Sequence, residues 1–286
     1  MDPLSDVVSL LRVRGALASR LEAGGDWALR FSGYRHIKFG VVQAGTCWVM
    51  DQELQAGDCY LLTSGTPYTL AAHPGLQAED GDARFRRAAR EGVLRISAEP
   101  DLILDGGSLV FEEPDAELLL SVLPPFLRVR DDPDCAATIA LLARETDASR
   151  PGADLTREHL AQVLFVQMLR AARPEGPSWL GALADPQIGA ALEHIHSDPS
   201  HPWRVAELAD AVHMSRSAFA GRFTRLVGSS PAEYAQHWRL HRAAAALRRP
   251  GARVTTVARD HGYASHASFS KAYKAVIGEP PSATRG

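Results

Sequence analysis

Apolar positions change period along this chain. From residue 40, the segment GVVQAGTCWVMDQELQAGDCYLLTSGTPYTL sets β-branched and aromatic residues between AG, DQ, AGD and SGTP turn signals. Short strands at that spacing, over residues 31–72, predict a small β-barrel or sandwich. Residues 73–92 are polar, with Arg84, Arg86, Arg87 and Arg90, and predict a surface loop or a short helix; strand-like stretches follow at Gly92–Ser97 and Asp101–Phe111. The pattern then becomes helical over Asp134–Asp147 and Asp154–Ala172. In the second helix Leu160, Val163, Leu164, Gln167 and Met168 recur at helical spacing, with Asp154 or Thr156 as its N-cap. This helix is expected to serve dimerisation, interdomain contact or plain core packing. RPEGP at 173–177 stops it and sets the expected domain boundary, with residues 1–177 on one side and 178–286 on the other.

Beyond Pro186 the chain reads as all helical and repeats itself. Ser215, Phe219, Phe223, Leu226, Val227, Gly228 and Pro231 are answered 50 residues later by Ser265, Phe269, Tyr273, Val276, Ile277, Gly278 and Pro281; Asp210 pairs with Asp260 in the same register. Two copies of one supersecondary unit are therefore expected. In each, a short helix (Val205–Val212 in the first copy) leads through a tight turn to a serine N-cap. An amphipathic second helix follows, closed by a glycine able to take the left-handed conformation. That is the description of a helix-turn-helix. Between the copies lies SPAEYAQHWRLHRAAAALRRPG. Ser230 with Glu233 predicts a capping box, Pro231 suits the first helical position, and Pro250–Gly251 stop the helix. About 19 residues at about 1.5 Å each give a rod of roughly 28 Å. Such a rod could hold two recognition helices about one DNA turn apart.

Charge strengthens this reading. The chain has 286 residues and a net charge of -3, yet residues 186–286 carry +6 and residues 1–185 carry -9. The basic third suits a polyanion and the acidic body would repel one. Ordinary hydrophobic (45%) and charged (23%) fractions exclude disordered and fibrous classes. Apolar runs are too short to span a bilayer, so no membrane partner is expected. Acids precede the short N-terminal apolar run, so no signal peptide is expected either. Cys47, Cys59 and Cys135 form neither a disulfide framework nor a zinc pattern. A reducing cytoplasm is the expected location.

The stretch from Pro186 to Arg285, through VAELADAVHMSRSAFAGRFTRLVGSSPAEY and VARDHGYASHASFSKAYKAVIGEPP, resembles the DNA-binding domain of the AraC/XylS transcription regulators. GDCYLLTSGTPY looks like the cupin-type sensor domain of one branch of that family. The resemblance implies an α+β protein, with an N-terminal cupin-like β-barrel, a helical dimerisation region and a C-terminal all-α double helix-turn-helix. It implies a sequence-specific regulator of double-stranded DNA, a homodimer, an RNA polymerase partner and a small-molecule effector or stress signal. The family often has arginine where this chain has Gly221, and usually an aromatic residue after GEPP, where this chain reads SATRG.

With Phe219 at zero and about 100° per residue, Phe223, Leu226 and Val227 define a core stripe. Ser217, Ala220, Gly221, Thr224 and Arg225 then face a groove, with Arg216 at the helix start and Arg222 turned toward an intramolecular or backbone partner. The second helix presents Ala267, Ser270, Lys271, Lys274 and Ala275, flanked by His266. Lys271 is the candidate base reader; Arg204, Arg216, Arg225 and Lys274 are candidate phosphate contacts. His36, Trp48, Tyr60 and Tyr68 are the candidate effector contacts, with Tyr68 standing where that family branch often has histidine.

Other chemistries are weakly supported. His237 and His241 share a helix face but lack a third ligand, and His36 and His73 do not make a cupin metal cluster. No cofactor, metal or enzymatic activity is expected. Cys47 and Cys59 lie on neighbouring strand-like segments and could pair, although no basic residues flank them to lower a thiol pKa. The alternatives to an effector-controlled regulator are a ligand-independent dimeric DNA-binding protein and a metal-dependent cupin enzyme.

Overall fold

The computed structural model describes residues 2–10, 13–34, 37–88, 92–111, 123–145, 150–172 and 178–284. The expected boundary segment 173–177 lies outside them. The chain forms two compact units. One holds Arg12–Ala116 and Leu123–Pro174; the other holds Glu175–Gly286 together with Met1–Leu11. The N-terminal residues therefore group with the C-terminal unit rather than with the rest of 1–177.

The strands of the first unit are β1 (Val13–Ala23), β2 (Ala28–Phe31), β3 (Ile37–Ala44), β4 (Thr46–Val49), β5 (Gln52–Gln55), β6 (Cys59–Leu62), β7 (Tyr68–Ala71), β8 (Glu79–Asp80), β9 (Val93–Arg95), β10 (Leu102–Phe111) and β11 (Phe126–Val129). They make two sheets, ordered β11-β6-β3-β10-β1-β9 and β5-β4-β7-β2-β8. Of barrel and sandwich, the two sheets form the sandwich: among the described residues no strand pairing closes them into one cylinder. Short strands and left-handed glycines at Gly45, Gly57 and Gly65 keep the turns tight.

Alternation along the strands gives the six-stranded sheet an inner and an outer face. Leu21, Val42, Tyr60, Leu62 and Leu104 meet Leu29, Phe31, Cys47, Val49, Leu54, Tyr68 and Leu70 of the other sheet in one core. The outer face is covered by α3 (Pro133–Arg144) and α4 (Ala153–Ala171), which follow α2 (Gly81–Ala88) in chain order. Phe111 meets Phe165 of α4 edge-on at 5.6 Å. Neither Asp154 nor Thr156 caps α4; left-handed Gly152 stands at its N-cap without a side-chain bond. Cys47 and Cys59 belong to different sheets, and both are free and buried. Burial pushes each thiol up to about 12, so neither is a thiolate at neutral pH.

The second unit is helical: α5 (Trp179–Ala184), α6 (Pro186–Ser197), α7 (Val205–Ala211), α8 (Arg216–Val227), α9 (Pro231–Leu247), α10 (Val254–Asp260) and α11 (His266–Ile277). The N-terminal helix α1 (Pro3–Leu10) packs on α6 through its buried Pro3, Asp6 and Val7. There it meets a polar cluster. Trp179 Nε1 donates to the Tyr234 hydroxyl at 2.8 Å, and His196 Nε2 lies 2.8 Å from the same oxygen. If Tyr234 spends its single proton on Nε2, Nδ1 carries the imidazole proton; Nδ1 faces Asp6 Oδ2 at 3.6 Å.

Burial holds His196 neutral, down to about 3, with Arg242 acting in the same direction and Asp2 against it. Burial raises Asp6, against the pull of Arg242. An unfolded histidine titrates near 6.5. As pH falls below that value the unfolded chain therefore takes up a proton that the folded chain refuses, and stability drops. Half-buried His241, lowered to about 4, acts in the same sense; the raised Asp6 carboxyl partly offsets both. The melting temperature of the full chain should fall progressively from pH 6.5 toward pH 4. In His196→Gln that slope should be shallower, and an unchanged slope would remove His196 from the account.

Candidate nucleic-acid interface and sandwich cavity

Each helix-turn-helix is built from the turn outward. Ser215 caps α8 by accepting from Ala218 N at 3.3 Å, and Ser265 caps α11 by accepting from Ser268 N at 3.2 Å. Gly228 and Gly278 end the helices in the left-handed conformation, both at φ +88°. Phe219, Phe223 and Val227 are buried on α8, as are Phe269 and Tyr273 on α11. The apolar stripes set the rotation of both helices.

The repeat is not uniform. Up to the turn the copies match at an offset of 49: α7 at 205–211 answers α10 at 254–260, and the Met214 N to Ala209 O bond answers that from Tyr263 N to Ala258 O, both 2.9 Å. From the serine caps onward the offset is 50, so Ala264 is an extra turn residue. Asp210 is thus structurally equivalent to Arg259, which corrects its expected pairing with Asp260. The left-handed turn residue is His213 (φ +56°) in the first copy and Gly262 (φ +77°) in the second. At Gly262 a Cβ would come within 2.5 Å of Ser200 O, so the backbone there leaves no room for a side chain.

The wheel derived from sequence places the polar faces well. Arg216, Ser217, Gly221, Thr224 and Arg225 are exposed on α8 and Ala220 is half-buried. On α11, His266, Ala267, Lys271, Lys274 and Ala275 are exposed and Ser270 is half-buried. Arg204 stands exposed ahead of α7, while Arg222 turns inward. Its guanidinium donates to Asp185 Oδ2 at 2.6 and 3.1 Å and to Gln187 Oε1 at 2.9 Å. Asp185 in turn caps α6 through Gln187 N and Ile188 N. The connecting helix α9 has 17 residues, about 25 Å, slightly shorter than expected. Arg239 of α9 donates to Pro199 O and His201 O, tying it to the loop before α7. After GEPP, the Tyr273 hydroxyl donates to Thr284 Oγ1, which donates to Glu279.

The effector candidates divide. Tyr60 and Tyr68 line a cavity of about 410 Å³ between the two sheets. Trp48 does not: it alternates with Cys47 and Val49, whose side chains fill the core, so it points from the opposite face of its sheet. His36 lies outside the described residues. His73 is exposed and bonds Asp26 at 3.1 Å. Sequence reasoning missed Lys38, Phe31, Phe85 and Leu104 as cavity residues. The signal for Lys38 was its place in IKFGVV, two positions before Gly40 and four before Val42 on one strand face. Among the described residues no group of histidine, cysteine or acidic side chains could hold a metal ion, and no helix is long and apolar enough to cross a membrane.

A cupin family model matches residues 2–172 and a helix-turn-helix domain model matches residues 208–286. An AraC-like transcription regulator of Streptomyces lividans is 41% identical, covering 98% of this chain and 97% of its own. This chain belongs to the AraC-like transcription regulators. It combines a helix-turn-helix DNA-binding domain with a cupin-like N-terminal domain. A second AraC-like regulator, from Streptomyces antibioticus, is 39% identical over the same shares of each chain. Among solved structures, ToxT from Vibrio cholerae is 14% identical, covers 94% of this chain and 95% of its own, and gives a TM-score of 0.38.

In this regulator Arg222 links α8 to α6 rather than facing outward. Arg222→Ala should lower the stability of the helical unit by about 1–2 kcal/mol. The same variant, assayed for DNA binding at temperatures below its unfolding transition, should keep the wild-type sequence preference; a changed preference would place Arg222 in the interface.

Proposed function

We propose that this AraC-like regulator lays α8 and α11 into successive major-groove segments of one duplex, under control of a small-molecule effector held in the sandwich cavity. The observation that carries the DNA reading is the pairing of two capped helices, each with its apolar stripe buried and its polar face exposed. Ser217, Ala220, Gly221 and Thr224 of α8 offer no bidentate reader. Specificity there rests on close approach, methyl contact and DNA shape. On α11, Lys271 reads a base edge beside His266, Ala267 and Ser270. Arg204, Arg216, Arg225 and Lys274 contact phosphates, aided by the helix N-termini.

The exposed apolar side chains Leu155 and Val163 of α4 and Leu141 of α3 support a homodimer formed through the N-terminal unit. A cytoplasmic location and an RNA polymerase partner follow from the same family reading.

In vitro selection from random duplex DNA with the full chain should return a bipartite motif with half-sites about ten base pairs apart. Lys271→Ala should relax one position of that motif by about 1–3 kcal/mol. Arg225→Ala and Lys274→Ala should each weaken binding to all sequences and reduce the salt slope by about 0.9. An intact motif in Lys271→Ala would overturn its assignment as a base reader.

A further inference from the structure

Two helix-turn-helix copies joined by one helix do not by themselves hold a fixed geometry. The connecting helix α9 packs against α8 of the first copy and against α10 and α11 of the second. Its length sets how far apart the copies stand, but a joint along a single rod leaves them free to rock about it. Holding α8 and α11 in one relation needs a second point of contact beside the rod. The loop before α7 supplies it.

Residues 198–203 are fastened to the first copy. Asp198 N donates to His194 O at the end of α6, and Trp203 Nε1 donates to Asp198 O at 3.0 Å. The His201 ring meets Trp203 edge-on at 4.4 Å, and its Nε2 lies 2.8 Å from Glu207 Oε1 on α7. The middle of the loop faces the other way. Arg239 of α9 donates through Nε to Pro199 O at 2.8 Å and through Nη2 to His201 O at 2.6 Å. Its planar fork thus grips the carbonyls on either side of Ser200. Ser200 O itself lies against Gly262, in the turn of the second copy, where a Cβ would collide with it. Burial lowers the pKa of His261 and raises that of Tyr263, and the Arg239 charge pulls both down, so Arg239 stands within electrostatic range of the residues that flank Gly262.

The two turns differ for this reason. His213, the equivalent residue of the first copy, is exposed and carries its side chain in the left-handed conformation. At 262 the backbone of the other copy excludes a side chain, so glycine is required by the contact as well as by φ +77°. We infer that the 198–203 loop braces the two copies against each other, and that Ser200, Arg239 and Gly262 are positioning residues that set the half-site spacing the protein accepts. They act without touching a base. The inference rests on the reading of α8 and α11 as two recognition helices on one duplex. Each base pair added between half-sites moves the second groove segment by about 3.4 Å along the duplex and turns it by about 35°. A braced pair of helices cannot follow that displacement, whereas a pair joined by α9 alone would rock to meet it.

The test uses the full chain and duplexes that carry the two selected half-sites at their selected spacing, with one base pair removed, and with one or two added. Wild type should bind the selected spacing about tenfold more tightly than one changed by a single base pair. Arg239→Gln, which gives up the fork on the two carbonyls, should select the same bases within each half-site and narrow that ratio to about threefold or less. Gly262→Ala, which drives the loop off the turn, should likewise lose the tenfold preference, and Arg239→Lys, able to hold one carbonyl, should fall between. Binding is measured below the melting temperature of each variant. The ratio between spacings is the readout, because a merely destabilised domain loses affinity at every spacing alike. A wild-type ratio kept by both Arg239→Gln and Gly262→Ala, or bases within a half-site altered by either, would overturn the brace. So would a bipartite wild-type motif bound equally at every spacing. A wild-type motif with one half-site would instead overturn the two-helix reading, and the brace with it.

Discussion

Which faces of α8 and α11 stand exposed depends on how firmly two aromatic pairs hold the helices in rotation. Phe219 and Phe223 lie 5.7 Å apart on α8, and Phe223 meets the Tyr234 ring of α9 edge-on at 5.9 Å. The Tyr234 hydroxyl is anchored by Trp179 and His196, so the wedge against α8 is braced from behind by α5 and α6. In the second copy Tyr273 takes the place of Phe223 and carries its own hydroxyl, which reaches Thr284 and through it Glu279. Both copies thus back an apolar stripe with a phenol whose polar end is satisfied, half-buried Tyr234 in the first and buried Tyr273 in the second. A helix turned by one residue would move about 100° and exchange its polar face for its core. These contacts therefore decide which side chains the two helices expose.

The two copies share a plan without sharing a turn. The offset of 49 before the turn and 50 after it leaves Ala264 as an insertion, absorbed where Gly262 passes close to Ser200. The repeat was legible because aromatic, glycine and proline positions recur in the second helices, where packing tolerates few residue types. The offset in the first helices was hidden, since Val, Ala and Leu fit those buried positions almost interchangeably. The chance agreement of Asp210 with Asp260 then suggested a single register.

The sandwich was less legible. Strands β3 to β7 announced themselves through β-branched runs and turn signals. The 11-residue β1, VRGALASRLEA, did not, because arginine, alanine, glycine and glutamate are poor strand formers. Pairing with β10 over most of its length holds it in place, together with the Arg20–Asp105 ion pair at 2.7 Å. The cavity was legible only in part. Tyr60 and Tyr68 were identifiable as inward aromatics, whereas Trp48 was assigned to the wrong face. A one-residue change of phase in a strand of four residues reverses inside and outside, and composition carries no record of that phase.

What the sequence determined by itself was the set of local structures with strong chemical requirements. These are the serine caps, the glycine stops, the aromatic stripes and the inward turn of Arg222, each fixed by interactions a few residues long or by helical period. Tertiary structure alone decided between barrel and sandwich, in favour of two sheets. It also seated α1 against α6, and it set Gly40 opposite Gly106 with Lys38 beside them. The physical reason is range. Helical period and caps are written within one turn, but sheet register brings together residues such as 40 and 106 through hydrogen bonds that no local pattern encodes.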